Sequence, residues 1–234
     1  MREHFPLLYS LFNKIRRDLY LIGLKLSGKA TDSESIFQFY FERNLFGDAT
    51  SLSGTGSSLA ATKSIRASIP SLLAELHVGL LIDVPCGDFF WAKELSWEKI
   101  QYVGADVVPT LIEQNLQKHT ADGIGFVVLD ILKDPLPNCD LILCRDLFIH
   151  FPNELVRTAL KNIKSSGARY LLTTQYDGVK FNRDISLGSF RPINLTLPPF
   201  NLPLPERRIP DDDYHKIWRR TLSLWSVDNV PIYD

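Results

Sequence analysis

Cysteine is scarce in this chain. Cys86, Cys139 and Cys144 are the three in 234 residues, none in a C-x-x-C pair and none beside closely spaced histidines. That spacing excludes a zinc site and a disulfide framework, so no metal is expected; buried reduced thiols in a cytoplasmic protein are. Excess charge is missing too. With 26 basic and 27 acidic residues, the net charge of −1 gives no global field to gather phosphate, and no nucleic-acid partner is expected. Long apolar runs are also absent, because charges interrupt every stretch well short of the roughly 20 residues that span a bilayer.

What is present begins with a locally basic segment. Residues 1–29 carry six Lys/Arg against Glu3 and Asp18, and Leu8, Leu11, Phe12, Ile15, Leu19 and Ile22 recur at helical spacing. An amphipathic helix over residues 1–30 follows as an expectation, able to pack on a partner or lie on a membrane surface. "FPLLYSLF" runs into "NKIRRD" and not into a small-residue cleavage site, which argues against a secretory signal.

Residues 31–234 read as one domain. "TDSESIFQFYFERNLF" opens on cap-competent residues and predicts a helix, "GDATSLSGTGSS" a flexible polar loop, and "LAATKSIRASIPSLLAEL" a helix bent or divided before Pro70. From residue 79 to 176, short apolar runs ("LLIDV", "YVGADV", "GFVVLDI", "DLILC", "RYLLTTQY") alternate with the helix candidates "WAKELSW", "PTLIEQNLQKH" and "NELVRTALKNIK". Such alternation predicts an α/β fold, a doubly wound parallel sheet with right-handed crossovers. The proline-rich tail excludes a central strand but allows short edge strands near residues 190–196 and 220–227. It is expected to cover the open side of the sheet. "PERRIPDDD" reads as a solvated charged loop.

Ligands of open α/β sheets sit at the carboxyl ends of the strands. Three successive ends carry an acid: Asp83, Asp106 and Asp130. Asp106 follows Gly87 by 19 positions, the spacing at which an acid reaches ribose hydroxyls. A dinucleotide fits poorly, because its pyrophosphate wants several glycines and no acids, whereas this loop offers Gly87 alone, between Asp83 and Asp88. A ligand with a ribose, an adenine amino group and a positive centre suits the acids better.

In their order, "LLIDVPCGDFFW", "VGADV" and "FVVLDIL" resemble the first three motifs of the class I S-adenosylmethionine-dependent methyltransferases, with Pro85 where the first glycine usually stands. Together, "SGTGS", "DVPCGDFFW", "CRDLFIHF", "YLLTTQY" and "FRPINL" resemble a bacterial-type subgroup of undefined substrate. The resemblance implies a seven-stranded, mostly parallel Rossmann-like sheet and S-adenosyl-L-methionine as cofactor. It places Asp83, Pro85, Gly87 and Asp88 beside the methionine part, and Asp106 with Val107 at the ribose. Asp130 and Ile131 fall at the adenine and Arg145 near the methyl group, with Ser53 and Gly54 in a loop that closes over the cofactor.

Methyl transfer to a hydroxyl or amine needs a base only where the acceptor holds its proton. Asp146 and, four residues on, His150 are the catalytic candidates; a neutral imidazole, with a reference pKa of about 6.5, can take such a proton. Tyr176, Asn182 and Arg191 are the candidate substrate contacts. The expected acceptor is a small molecule or a glycan. Two other readings stay open on the residues alone: a nicotinamide-dependent oxidoreductase, and a non-catalytic adaptor working through residues 1–29.

Overall fold

The computed structural model describes residues 32–46, 51–211 and 219–233. The expected helix over residues 1–30 lies outside them. Four α-helices are described: α1 (Ser33–Glu42), α2 (Lys63–Glu75), α3 (Pro109–His119) and α4 (Asn153–Ser165). The strands are β1 (Leu80–Asp83), β2 (Gln101–Asp106), β3 (Ile124–Val128), β4 (Leu141–Cys144), β5 (Tyr170–Tyr176), β6 (Arg207–Pro210) and β7 (Arg220–Ser226).

They form one seven-stranded sheet in the order β3-β2-β1-β4-β5-β7-β6. The first five strands are parallel, while β7 runs antiparallel to both β5 and β6. Strand order reverses between β1 and β4, which opens a crevice beyond their carboxyl ends. Apolar side chains fill both faces of the sheet. The α4 residues Val156, Leu160 and Ile163 pack on one, and the α2 residues Ile65, Ile69 and Leu72 on the other.

Four expectations are corrected. Helix α2 is not divided: Pro70 sits inside it, on the exposed side. Losing that N–H bond costs roughly 3 kcal/mol. Burial of Ile65, Ile69, Leu72 and Leu73 on the opposite stripe, at about 1.5–3 kcal/mol each, outweighs it. "WAKELSW" forms only a short 3₁₀ turn, Ala92–Glu94. Residues 190–196 form no strand; Pro192 breaks the ladder, and the backbone there makes separate bonds, Arg191 N to Ile149 O and Tyr176 N to Ile193 O. The edge strand is β6 instead, inside the run read as a solvated loop. Arg207 and Arg208 face solvent, Ile209 faces the core, and the charges protect an otherwise open sheet edge.

The proline-rich segment does cover the sheet. Ile193, Leu195, Phe200 and Leu202 are buried in the same cluster as α4. Among the described residues, no helix is long and apolar enough to cross a membrane.

Candidate active site

A cavity of about 290 Å³ lies over the crevice, close to the lower end of the roughly 300–1,000 Å³ typical of ligand sites. Its floor is the β1 end: Asp83, Pro85, Cys86 and Gly87. The β2 end adds Asp106, Val107 and Val108, and the segment after β4 adds Arg145, Asp146 and His150. Loop residues 52–57 form the roof, and Phe37, Phe41, Phe46 and Phe190 make an aromatic wall. Phe37 and Phe41 are four apart, so α1 presents both on one face.

The roof is held shut by one carboxylate. Asp88 accepts from Ser51 Oγ, Ser53 Oγ (2.9 Å) and Leu52 N (2.7 Å), while its own N–H donates to Ser53 Oγ. The polar loop expected to be flexible is therefore tied down where it crosses Gly87. Gly87 has φ +55°, a left-handed conformation, and a Cβ there would collide with the Ser53 hydroxyl.

Asp106 is buried at the cavity wall and accepts from the backbone N–H of Gly87 (3.2 Å) and Val108 (3.1 Å). Burial pushes its carboxyl up to about 6, against the pull of those N–H bonds. Asp83 accepts a 2.6 Å bond from the Tyr102 hydroxyl, and burial pushes it up to about 7. Both carboxyls are thus costly to ionise without a ligand, a state that a nearby positive centre relieves.

Asp146 stands apart from these two. It has φ +59°, a strained conformation for a residue with a side chain, and is held there from three sides. Its N–H donates to Thr174 Oγ1, its Oδ1 accepts from the same hydroxyl, and Arg220 Nη2 donates to its Oδ2 at 2.7 Å. Burial would raise its pKa, but Arg220 and Arg145 outweigh it and hold the carboxyl below its usual range. A carboxylate so stabilised is a poor proton acceptor.

His150 Nδ1 lies 2.8 Å from the Ser189 carbonyl. A carbonyl only accepts, so Nδ1 carries a proton, and whenever the ring is neutral Nε2 is its basic nitrogen. The ring packs at 4.8 Å from Phe46 and 6.2 Å from Phe190.

With this geometry, the similarities to known proteins fall into place. Residues 82–170 match the family described as "Methyltransferase domain". Over that segment the chain is similar to methyltransferase domains. Its fold is shared with two structures of magnesium protoporphyrin IX methyltransferase from Synechocystis PCC 6803. The one with bound S-adenosylmethionine is 16% identical, with a TM-score of 0.54, and the match covers 83% of this chain and 97% of that one. The one with bound S-adenosylhomocysteine is 13% identical, with a TM-score of 0.55, covering 82% and 98%. No curated protein matches.

The fold brings most of the sequence-predicted site residues to one cavity, but not all. Asp83, Pro85, Gly87, Asp106, Val107, Arg145, Asp146, His150, Tyr176, Ser53 and Gly54 line it. Asp88 lies behind the roof loop. Asp130 and Ile131 are not in the wall: Asp130 accepts from Ser33 Oγ at 2.8 Å and pairs with Lys133 at 3.1 Å, while Ile131 is buried in the core. Asp130, the expected adenine contact, is tied there to the start of α1.

Asn182 and Arg191 are corrected in the same way. Asn182 bonds the carbonyls of Asn194 and Pro198, and Arg191 those of Arg183 and Phe148. The buried polar groups of a proline-rich cover need partners, and these two side chains supply them. Arg145 pairs with Asp211, at 3.0 and 2.9 Å, and with Asp146 at 3.4 Å.

Sequence reasoning missed Arg220, Asp211, Trp91 and three members of the phenylalanine wall, Phe37, Phe41 and Phe46. The i, i+4 spacing of Phe37 and Phe41 was a usable signal; nothing local marks Arg220 or Asp211, which an antiparallel strand insertion brings in.

Proposed function

We propose that this protein is an S-adenosylmethionine-dependent methyltransferase that modifies a hydroxyl or amine on a small molecule or a glycan-type acceptor. The observation that carries this reading is the aromatic wall of Phe37, Phe41, Phe46 and Phe190 beside the His150 ring, all facing one cavity. Aromatic faces stack on planar rings and on the C–H faces of sugars. The modest cavity volume supports an acceptor of limited size.

When bound, S-adenosylmethionine supplies an electrophilic methyl group on a positively charged sulfur. The residues present fit it. Asp106 has lone pairs left for ribose hydroxyls after its two backbone bonds. Val107, Val108 and Leu111 give an apolar wall for the adenine. Gly87, whose missing Cβ lets Ser53 approach, joins Asp83 and Gly54 at the methionine part. Arg145 and Asp146 stand at the reacting end.

The proton of a hydroxyl acceptor goes to His150 Nε2, with the Ser189 carbonyl fixing the tautomer. Asp146 serves as a hydrogen-bond acceptor and not as the base, because its charge is already spent on two guanidiniums. Much of the acceleration then comes from positioning in a closed site. A cytoplasmic setting belongs to the same reading, supported by three buried free thiols.

The test is a labelled-methyl assay over a panel of hydroxyl- and amine-bearing aromatics and glycosides, with mass spectrometry of the products. A 1:1 methyl adduct on a panel member supports the reading. Label appearing only on carboxylates, or only on protein or nucleic acid, would overturn it.

A further inference from the structure

At the cavity wall, with one member behind it, lies a four-residue charge cluster built by three separate segments. Asp211 follows β6, its side chain is fully buried, and it takes no part in lining the cavity. Its oxygens accept four N–H bonds, two from Arg145 (3.0 and 2.9 Å) and two from Arg220 (3.1 and 2.8 Å). Both guanidiniums line the cavity and both face Asp146, at 3.4 Å for Arg145 and 2.7 Å for Arg220. Arg145 also donates to the Gly56 carbonyl of the roof at 2.8 Å.

Among the described residues of the cluster, two guanidiniums and two carboxylates sum to zero. Without Asp211 the same wall would present two positive groups against one negative one, beside a site whose ligand is itself a cation. Charge inside a protein is screened far less than in water, so a single buried unit charge several ångströms from a sulfonium matters.

We propose that Asp211 is a positioning residue that neutralises the reacting end of the cavity, and so sets how well the site holds the cationic sulfonium of S-adenosylmethionine relative to the neutral thioether of S-adenosylhomocysteine. The inference rests on S-adenosylmethionine as the cofactor. It assigns Asp211 a task that neither lining the cavity nor ordinary packing describes: it orients Arg145 and Arg220 and cancels their surplus charge. The two ligands differ in one methyl group and one charge. A purely structural residue would move both affinities together, whereas an electrostatic one moves their ratio.

The experiment is calorimetric titration of the full chain with each ligand at low salt. Asp211→Asn, nearly isosteric, is expected to lower the sulfonium-to-thioether affinity ratio on the order of ten-fold. Arg220→Gln changes the charge in the opposite sense and is expected to raise the ratio. The double variant Asp211→Asn/Arg220→Gln restores neutrality and returns the ratio towards the parent value. A ratio unchanged within about two-fold in the single variants, or shifted the same way in both, overturns the inference. If Asp211→Asn does not fold, Arg220→Gln and the double variant decide by the same criterion. Parent protein that binds neither ligand would instead reject the cofactor assignment, and the inference with it.

Discussion

Arg220 Nη2 lies 2.7 Å from Asp146 Oδ2, and this one contact joins the antiparallel strand β7 to the segment that follows β4 at the cavity. The two are 74 positions apart in the chain. Through it, the C-terminal hairpin is built into the reacting end of the site rather than laid beside it.

Truncating that guanidinium leaves two buried carboxylates short of a partner. Arg220→Met is expected to destabilise the protein by about 3 kcal/mol or more, since removing one member of a buried ion pair is far costlier than the pair is worth. Urea unfolding measures it. A loss below about 1 kcal/mol would mean that solvent reaches the cluster freely.

Stability should fall as pH rises through the range set by Asp83 and Asp106. Their folded pKa values, about 7 and about 6, lie above the unfolded value of about 3.9, so the native state binds more protons in between. Their contribution is present below the unfolded pKa and is lost as pH climbs towards 7. Asp146, held low, acts in the opposite sense: its stabilisation is present above the unfolded pKa and lost on acidification. Urea midpoints of the ligand-free protein between pH 5 and 7.5 should therefore decline, and Asp83→Asn should flatten the decline. A midpoint that rises across that interval counts against the assignment.

Gly87→Ala tests the roof. The new methyl group meets Ser53 and must adopt φ near +55°, so a loss of roughly 1–3 kcal/mol is expected together with weaker cofactor binding. Adding Ser53→Gly should recover the steric share and leave the backbone strain. Full additivity of the two changes would show that no clash exists.

His150→Gln is expected to lower kcat on a hydroxyl acceptor by roughly 10²–10⁴-fold, the usual worth of a general base. Cofactor affinity should stay nearly unchanged, because the ring lies towards the aromatic wall. An undiminished kcat, measured under saturating acceptor, would remove His150 from the chemistry.

Much of this architecture is legible in the chain itself. Alternating apolar runs and amphipathic segments determine the parallel half of the sheet, because a strand buried on both faces needs an unbroken apolar stretch and each crossover a helix. Acids closing β1 and β2 could be read for the same reason: strand ends of such a sheet open onto one crevice. What the sequence could not determine is which polar residues of the irregular segments turn inward. Asn182 and Arg191 look like ligand groups until folding spends them on carbonyls of the cover, and Asp130 until α1 takes it. Conversely, Asp211 sits in a run that reads as solvent-facing, and Arg220 follows another arginine with nothing to mark it. Only tertiary structure decides their fate, since antiparallel insertion of β7 between β5 and β6 sets distant charges side by side where no local spacing rule reaches.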